Sequence, residues 1–244
     1  GFLADWVSLR SIFIAGAIAQ LVAVFLFSRL RPVEHHGEQQ ASAGYRAVLN
    51  YRPVVVLCGL FLGLLLVLTT GFTLVPNFLE DEHGISVSTI GQFGSVFAVG
   101  SVLLGIVISK VKVFAKPLNA LILTTSLCPV AFLLLIGGSS TWVFALAYLC
   151  RGGYLVSWGL IYAALSEITP ERLRSRSFAL AEILGGLGFG IAPFLAGALY
   201  EAGPALPLWA ALAGVAPLIL GVLWVRRYVA SIPLPAVQPV VTPA

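Results

Sequence analysis

The chain is 244 residues long, 59% hydrophobic and only 10% charged, with a mean hydropathy of +1.00. A soluble domain carries about 25% charged residues, so this composition excludes a domain that covers its surface with polar groups in water, and lipid is its solvent. The net charge of +4 does not point to nucleic acid, because the basic residues follow a membrane topology, and the three cysteines, Cys58, Cys128 and Cys150, lie in apolar runs as reduced packing residues with no metal-ligand spacing.

A helix rises 1.5 Å per residue, so about 20 apolar residues cross the hydrocarbon layer. Seven runs of that kind occur, at about 11–30, 53–78, 88–109, 117–137, 141–166, 177–200 and 205–225. They are too long and continuous for barrel strands, and lipid satisfies no free backbone groups. The predicted fold class is therefore an all-α integral membrane protein with seven transmembrane helices. In chain order, the opening "GFLADWVSLR" has no initiator Met and no signal peptide. It reads as the end of a preceding loop, so residues 1–30 are expected to be the last transmembrane helix of an N-terminal bundle of which this chain is a fragment. Residues 31–52, "RPVEHHGEQQASAGYRAVLNYR", form a polar central loop. His35 and His36 lack further ligands there and are read as solvated, so no metal site is expected. Residues 53–228 form a six-helix bundle, and residues 229–244 form a Pro-rich tail, "IPLPAVQPVVTPA" at its end, expected to be disordered.

The loops alternate in sign. Arg29, Arg31, Arg46 and Arg52 flank the loop after span one, Lys110, Lys112 and Lys116 follow span three, Arg172, Arg174 and Arg176 follow span five, and Arg226 and Arg227 follow span seven. Twelve of the fourteen basic residues thus share one side. The opposite loops carry Asp5, Glu80, Asp81, Glu82 and Glu201, with Arg10 as the basic exception. The positive-inside rule makes the basic side cytoplasmic, which puts the C-terminus in the cytoplasm; the expected location is the plasma (inner) membrane.

A weak repeat links the two ends. At a constant offset of 196, Gly1, Leu3, Ala15, Ala17 and Arg31 coincide with Gly197, Leu199, Ala211, Ala213 and Arg227, and Asp5 meets Glu201. Both stretches run glycine, outer acidic residue, inward span, basic stop. A parallel repeat of six spans is an architecture of secondary transporters.

Several stretches resemble the major facilitator superfamily. "LVPNFLEDEHGISVSTIGQFGS" (74–95) is similar to its outer turn between helices seven and eight, "SEITPERLRSRSFAL" (166–180) to its basic inner turn between ten and eleven, and "GGLGFGIAPFLAGALYE" (185–201) to its Gly/Pro-rich eleventh helix. The resemblance implies that span one is the sixth helix of that fold, 31–52 its central loop and the rest its helices seven to twelve, so the chain would hold the C-terminal six-helix bundle. The turn "GIVISKVKVFAKP" (105–117) departs from the family pattern, with lysines but no acid, and so lacks the acidic partner of a gating charge pair. The resemblance also implies that spans two, three, five and six line the pathway while four and seven lie outside.

Polar residues point to the same division, since in a membrane they are costly unless they face protein or water. Span two has Thr69, Thr70, Thr73 and Asn77; span three has Ser88, Gln92 and Ser95; span five has Arg151 and Ser157; span six has Glu182. At 100° per residue, Tyr148, Arg151, Tyr154, Trp158 and Tyr162 fall within an arc of about 120°. Arg151 lies near the midplane, ~15 Å from the outer end of its span, and keeps its proton. Two readings stand: it faces a cavity and meets an anionic substrate group or a carboxylate, or it pairs with helix carbonyls or with the absent half and fixes packing. The aromatics would stack on an organic solute, or Tyr148 and Tyr162 belong to interfacial belts. Glu182 suits a proton carrier, or it is a structural pair near the cytoplasmic end. Gly186 and Gly190 have the spacing of close helix packing, and Pro193 bends its helix.

The combined expectation is a secondary active transporter working by alternating access. It would move a small organic solute on an ion gradient, with drug-type efflux as one such use. The expected partners are the solute, protons, the lipid bilayer and a missing N-terminal half; no cofactor, no nucleic acid and no enzymatic chemistry are expected, since no span holds paired carboxylates, a metal cluster or a nucleophile–base pair. The alternative is a seven-helix membrane receptor or sensor, against which stand the repeat and the lack of a span lysine for retinal.

Overall fold

In the computed structural model, residues 9–29 and 44–231 are described. They contain nine α-helices, one 3₁₀ turn and no strand. These are α1 (Leu9–Ser28), α2 (Tyr45–Asn50), α3 (Arg52–Thr73), α4 (Val75–His83), α5 (Val87–Lys110), the 3₁₀ turn Lys112–Ala115, α6 (Pro117–Gly137), α7 (Thr141–Ile168), α8 (Glu171–Ala202) and α9 (Leu206–Ala230). Six stretches are long and apolar enough to cross a membrane: Arg52–His83, α5, α6, α7, α8 and α9. α1 is a 20-residue apolar helix on the first expected span. This is an all-α membrane fold.

Local chemistry sets the helix ends. Pro53, Pro76, Pro117 and Pro207 stand in the first turns of α3, α4, α6 and α9, where a missing N–H costs nothing. Gly84, at φ 61°, closes α4 in the left-handed conformation that other residues avoid. Ser86 then caps α5 by accepting from the Thr89 backbone N–H at 3.3 Å. Three features differ from the sequence expectation. The second span divides at Leu74 into α3 and α4. α8 begins at Glu171, six residues before its apolar run, because a helix does not have to stop where lipid ends. Part of the central loop is also helical: α2 precedes Tyr51, whose hydroxyl donates to the Ile168 carbonyl at 3.0 Å. The rest of that loop, with Arg31, His35 and His36, lies outside the described residues, as do residues 1–8 of the repeat and the tail from 232.

Packing runs α8–α3–α9–α6–α7–α5, with α7 touching α3 and α8 only along short stretches. Lipid gives helices no hydrophobic drive to associate, so close van der Waals packing must hold them. Small residues make that possible. The buried stripe of α8 is Leu173, Ser177, Ala181, Gly185, Gly188, Ala192 and Ala196. A methyl on Gly185 would lie 2.7 Å from the Phe61 ring, and one on Gly188 would lie 2.9 Å from the Leu62 carbonyl oxygen, both on α3. Gly71 of α3 likewise admits Ala211 and Phe132, with 2.5 Å and 2.6 Å left for a methyl. Phe61, Phe72, Phe132 and Phe144 fill the core. α5 and α8 end the packing series and are the least covered of the six spans, while the Arg52–His83 stretch is the most buried. The open side of the bundle is therefore bounded by α5 and α8.

Candidate functional site

α7 carries the site because two neighbours, α5 and α6, clamp it at one level. A methyl on Gly152 would lie 2.5 Å from Ser101 N on α5, and one on Gly153 would lie 2.6 Å from the Thr124 carbonyl oxygen on α6. Adjacent glycines thus let two backbones approach from two directions. Ser157 Oγ, one turn on, lies 2.8 Å from both Thr124 Oγ1 and the Gly153 carbonyl oxygen.

This clamp turns Arg151 between α3 and α5. Its guanidinium carbon lies 4.8 Å from the Phe72 ring centre and 5.3 Å from those of Phe97 and Tyr148. Among the described residues no carboxylate pairs with it, and its Nε is buried without a hydrogen-bond partner. Tyr148 is 3% exposed, with its ring 5.2 Å from Phe93, so it belongs to the bundle interior and not to an interfacial belt.

The row continues along α7. The Tyr154 hydroxyl and Thr69 Oγ1 of α3 share a hydrogen bond of 2.8 Å. Trp158 meets Tyr154, Phe61 and Phe189 edge to face at 6.3, 6.0 and 6.1 Å. Its indole Nε1 and the Tyr148 hydroxyl are buried without a well-formed hydrogen bond, with the Tyr154 hydroxyl beside the first and the Arg151 guanidinium beside the second. Tyr162 donates to Glu182 Oε1 at 2.7 Å and packs on Phe61 and Phe178. One face of α7 therefore runs from a cation caged by rings, through an aromatic stretch, to a carboxylate on α8. Eleven residues, or ~16 Å, separate Arg151 from Tyr162 along the helix, so the carboxylate does not neutralise the arginine.

Sequence reasoning had placed Arg151, Tyr154, Trp158 and Tyr162 on one face, and the structure joins Glu182 to that row. It leaves Asn77 and Gln92 exposed, and no hydrogen bond within the described residues ties them to it. Gly186 and Gly190 face open space, with nothing near an added methyl; the close approaches of α8 belong to Gly185 and Gly188. Pro193 is exposed within a continuous α8. The cage residues Phe72 and Phe97, and Phe189 beside Trp158, escaped the sequence reading, because single phenylalanines in apolar helices carry no local signal. Elsewhere, a cleft of about 300 Å³ lined by Leu49, Arg52, Val55, Val56, Trp224 and Tyr228 opens between the start of α3 and the end of α9, apart from the α7 row. Among the described residues no group of three His, Cys, Asp or Glu is placed to hold a metal ion.

Comparison with known proteins adds one family. The family model described as the Major Facilitator Superfamily matches residues 1–161 and again 56–242. No curated protein matches the chain.

Proposed function

The chain belongs to the major facilitator superfamily and is a multi-pass membrane transporter of that type; from this premise we propose that it moves a small organic solute by alternating access. Residues 53–228 would be one of two six-helix bundles that rock about a site near the midplane. The observation that supports this most is the row on α7, in which Arg151, Tyr154, Trp158 and Tyr162 line up beside the open side of the bundle with buried polar atoms that make no well-formed hydrogen bond. Packing alone does not require such a row. Asn77 and Gln92, exposed on α4 and α5, would line the outer approach. The receptor alternative finds no place within this family.

The remaining roles follow from the same row. Glu182 is the carboxylate of α8 and takes a hydrogen bond from Tyr162, which suits a proton carrier driven by a pH gradient. Gly186 and Gly190 present a bare backbone that a second bundle can approach closely. Pro193 removes one backbone donor from α8 and gives it a place to bend. The charge asymmetry of the loops supports a cytoplasmic C-terminus, and the membrane would be the plasma (inner) membrane. An amphipathic organic solute fits an aromatic, lightly charged lining, and drug-type efflux is one use of such a site.

The test is transport of a panel of radiolabelled organic solutes by the reconstituted full-length protein. Arg151→Gln is expected to abolish flux while the protein remains in the membrane, and wild-type kinetics in that variant would overturn the assignment. Glu182→Gln is expected to lose stimulation by an imposed pH gradient. If it keeps that stimulation, protons travel by another group.

A further inference from the structure

We infer that the solute is an organic anion with a flat aromatic body and a second hydrogen-bond acceptor at its far end. This rests on reading the α7 row as the transport site and goes on to name its ligand chemistry. Three buried polar atoms along that row make no well-formed hydrogen bond: Arg151 Nε, the Tyr148 hydroxyl and Trp158 Nε1. Guanidinium and indole N–H groups only donate, and a phenol hydroxyl donates readily. The unmet demand is therefore for acceptors. Phe72 and Phe97 offer ring faces, which attract a cation but give its N–H groups no lone pair in the guanidinium plane, and the Tyr148 hydroxyl, which interacts with the guanidinium, offers one acceptor against five N–H donors.

Charge gives the same answer. A buried guanidinium keeps its proton, and among the described residues no carboxylate pairs with it. Glu182, the carboxylate of the row, accepts from Tyr162 and lies about three helical turns away along the axis. A carboxylate or sulfonate entering beside Arg151 would supply both the counter-charge and two acceptor oxygens in the planar geometry that suits the guanidinium fork. An organic cation there would meet like charge and no acceptor.

Spacing sets the body of the ligand. Arg151 and Trp158 are seven residues apart, or ~10.5 Å along the helix. Between them stand the Tyr154 ring, 5.8 Å from Phe72 and 6.3 Å from Trp158, and Phe189, 6.1 Å beyond Trp158. A fused two-ring body spans that distance, with its anionic oxygens on Arg151 and an acceptor at the opposite end for the Trp158 N–H. A carboxylate from elsewhere in the polypeptide would also answer Arg151, but it would not reach the Trp158 N–H two turns away, which meets only the Tyr154 hydroxyl.

The probes are 2-naphthoate, 6-hydroxy-2-naphthoate and the cation of similar shape 2-naphthylmethylammonium. Each is measured by equilibrium dialysis against the full-length protein in nanodiscs. The naphthoates are expected to bind at least tenfold tighter than the ammonium, with the hydroxyl adding several-fold more. Arg151→Gln should remove the anion preference, Arg151→Lys should keep part of it, and Trp158→Phe should remove only the gain from the hydroxyl. Thermal unfolding of each variant in the same nanodiscs establishes that it is folded, and Arg151→Lys serves as the charge-retaining control. The inference is overturned if the naphthoates fail to bind, if the ammonium binds as tightly, or if folded Arg151→Gln keeps full naphthoate affinity. Flux in proteoliposomes separates the two readings. Anion-selective binding without flux sinks the transport role and leaves this site standing, while flux of other solutes without anion preference sinks this site and leaves the transport role.

Discussion

Arg151 and Gly153 stand two residues apart on the same helix and belong to opposite kinds of surface. On the side toward α6, α7 consumes its polar groups: Gly153 brings the backbones together, and Ser157 Oγ lies 2.8 Å from Thr124 Oγ1 and from the Gly153 carbonyl oxygen. On the side toward α3 and α5, the helix leaves Arg151 Nε and the Tyr148 hydroxyl without well-formed hydrogen bonds, and Trp158 Nε1 further along. In lipid a buried polar atom has no water to turn to, so every unpaired one carries a cost. The satisfied face is frame. The unsatisfied face is the one we propose for solute binding.

The largest expected effect tests the frame. In Gly153→Val the new side chain must enter a space where even a methyl would lie 2.6 Å from a backbone oxygen of α6. Backbone in a packed helix cannot swing aside, and overpacking of this kind costs about 3 kcal/mol. The folded fraction in detergent should fall sharply, read by size exclusion and thermal unfolding. Full yield and an unshifted melting temperature would mean that α6 and α7 are not in backbone contact. Ser157→Ala comes next. It keeps the shape and removes the hydroxyl between the two helices, and side-chain hydrogen bonds between membrane helices average ~0.6 kcal/mol, with a maximum of ~1.7. A stability loss of about 1 kcal/mol with unaltered solute binding is expected. A change in binding affinity would move Ser157 to the other face.

The open face should respond the other way round. Thr69→Val removes the partner of the Tyr154 hydroxyl, 2.8 Å away, and costs ~0.6 kcal/mol or less of stability. It frees the Tyr154 ring to turn, so solute affinity should change more than the melting temperature does. A variant that loses stability and keeps affinity would place Thr69–Tyr154 in the frame.

Much of this was readable along the chain, and the unreadable part has a physical cause. The fourth apolar run, 117–137, coincides with α6, Pro117–Gly137, because Pro117 favours a first helical turn and Gly137 and Gly138 end the apolar periodicity. The face shared by Arg151, Tyr154, Trp158 and Tyr162 follows from helical arithmetic alone. Their neighbours do not, since Phe72, Phe97 and Phe189 come from three other helices, and only the packing order α8–α3–α9–α6–α7–α5 brings them near. The bond between Tyr162 and Glu182 spans a turn for the same reason. Glycine spacing is the sharper case: "GGLGFG" contains both 186/190 and 185/188 as small-residue pairs. A period of about four identifies a stripe but not which way it turns, and that is set by where Phe61 and Leu62 of α3 happen to lie.

That ambiguity carries the smallest prediction. Gly186→Ala should change stability by less than about 0.5 kcal/mol, or raise it slightly, because an added methyl meets nothing within 4 Å and alanine is the better helix former by roughly 0.5–1 kcal/mol in a free helix. Gly185→Ala, one residue earlier, should lower it, because the same methyl would stand 2.7 Å from the Phe61 ring. Phe61 also packs on Trp158 and Tyr162, so the Gly185 variant should disturb the α7 row as well as α8. The Gly186 variant should leave thermal unfolding in place and act, if anywhere, on transport rate, since its methyl projects into open space. Equal destabilisation by both substitutions would place Gly186 in the packed stripe and remove the open face of α8.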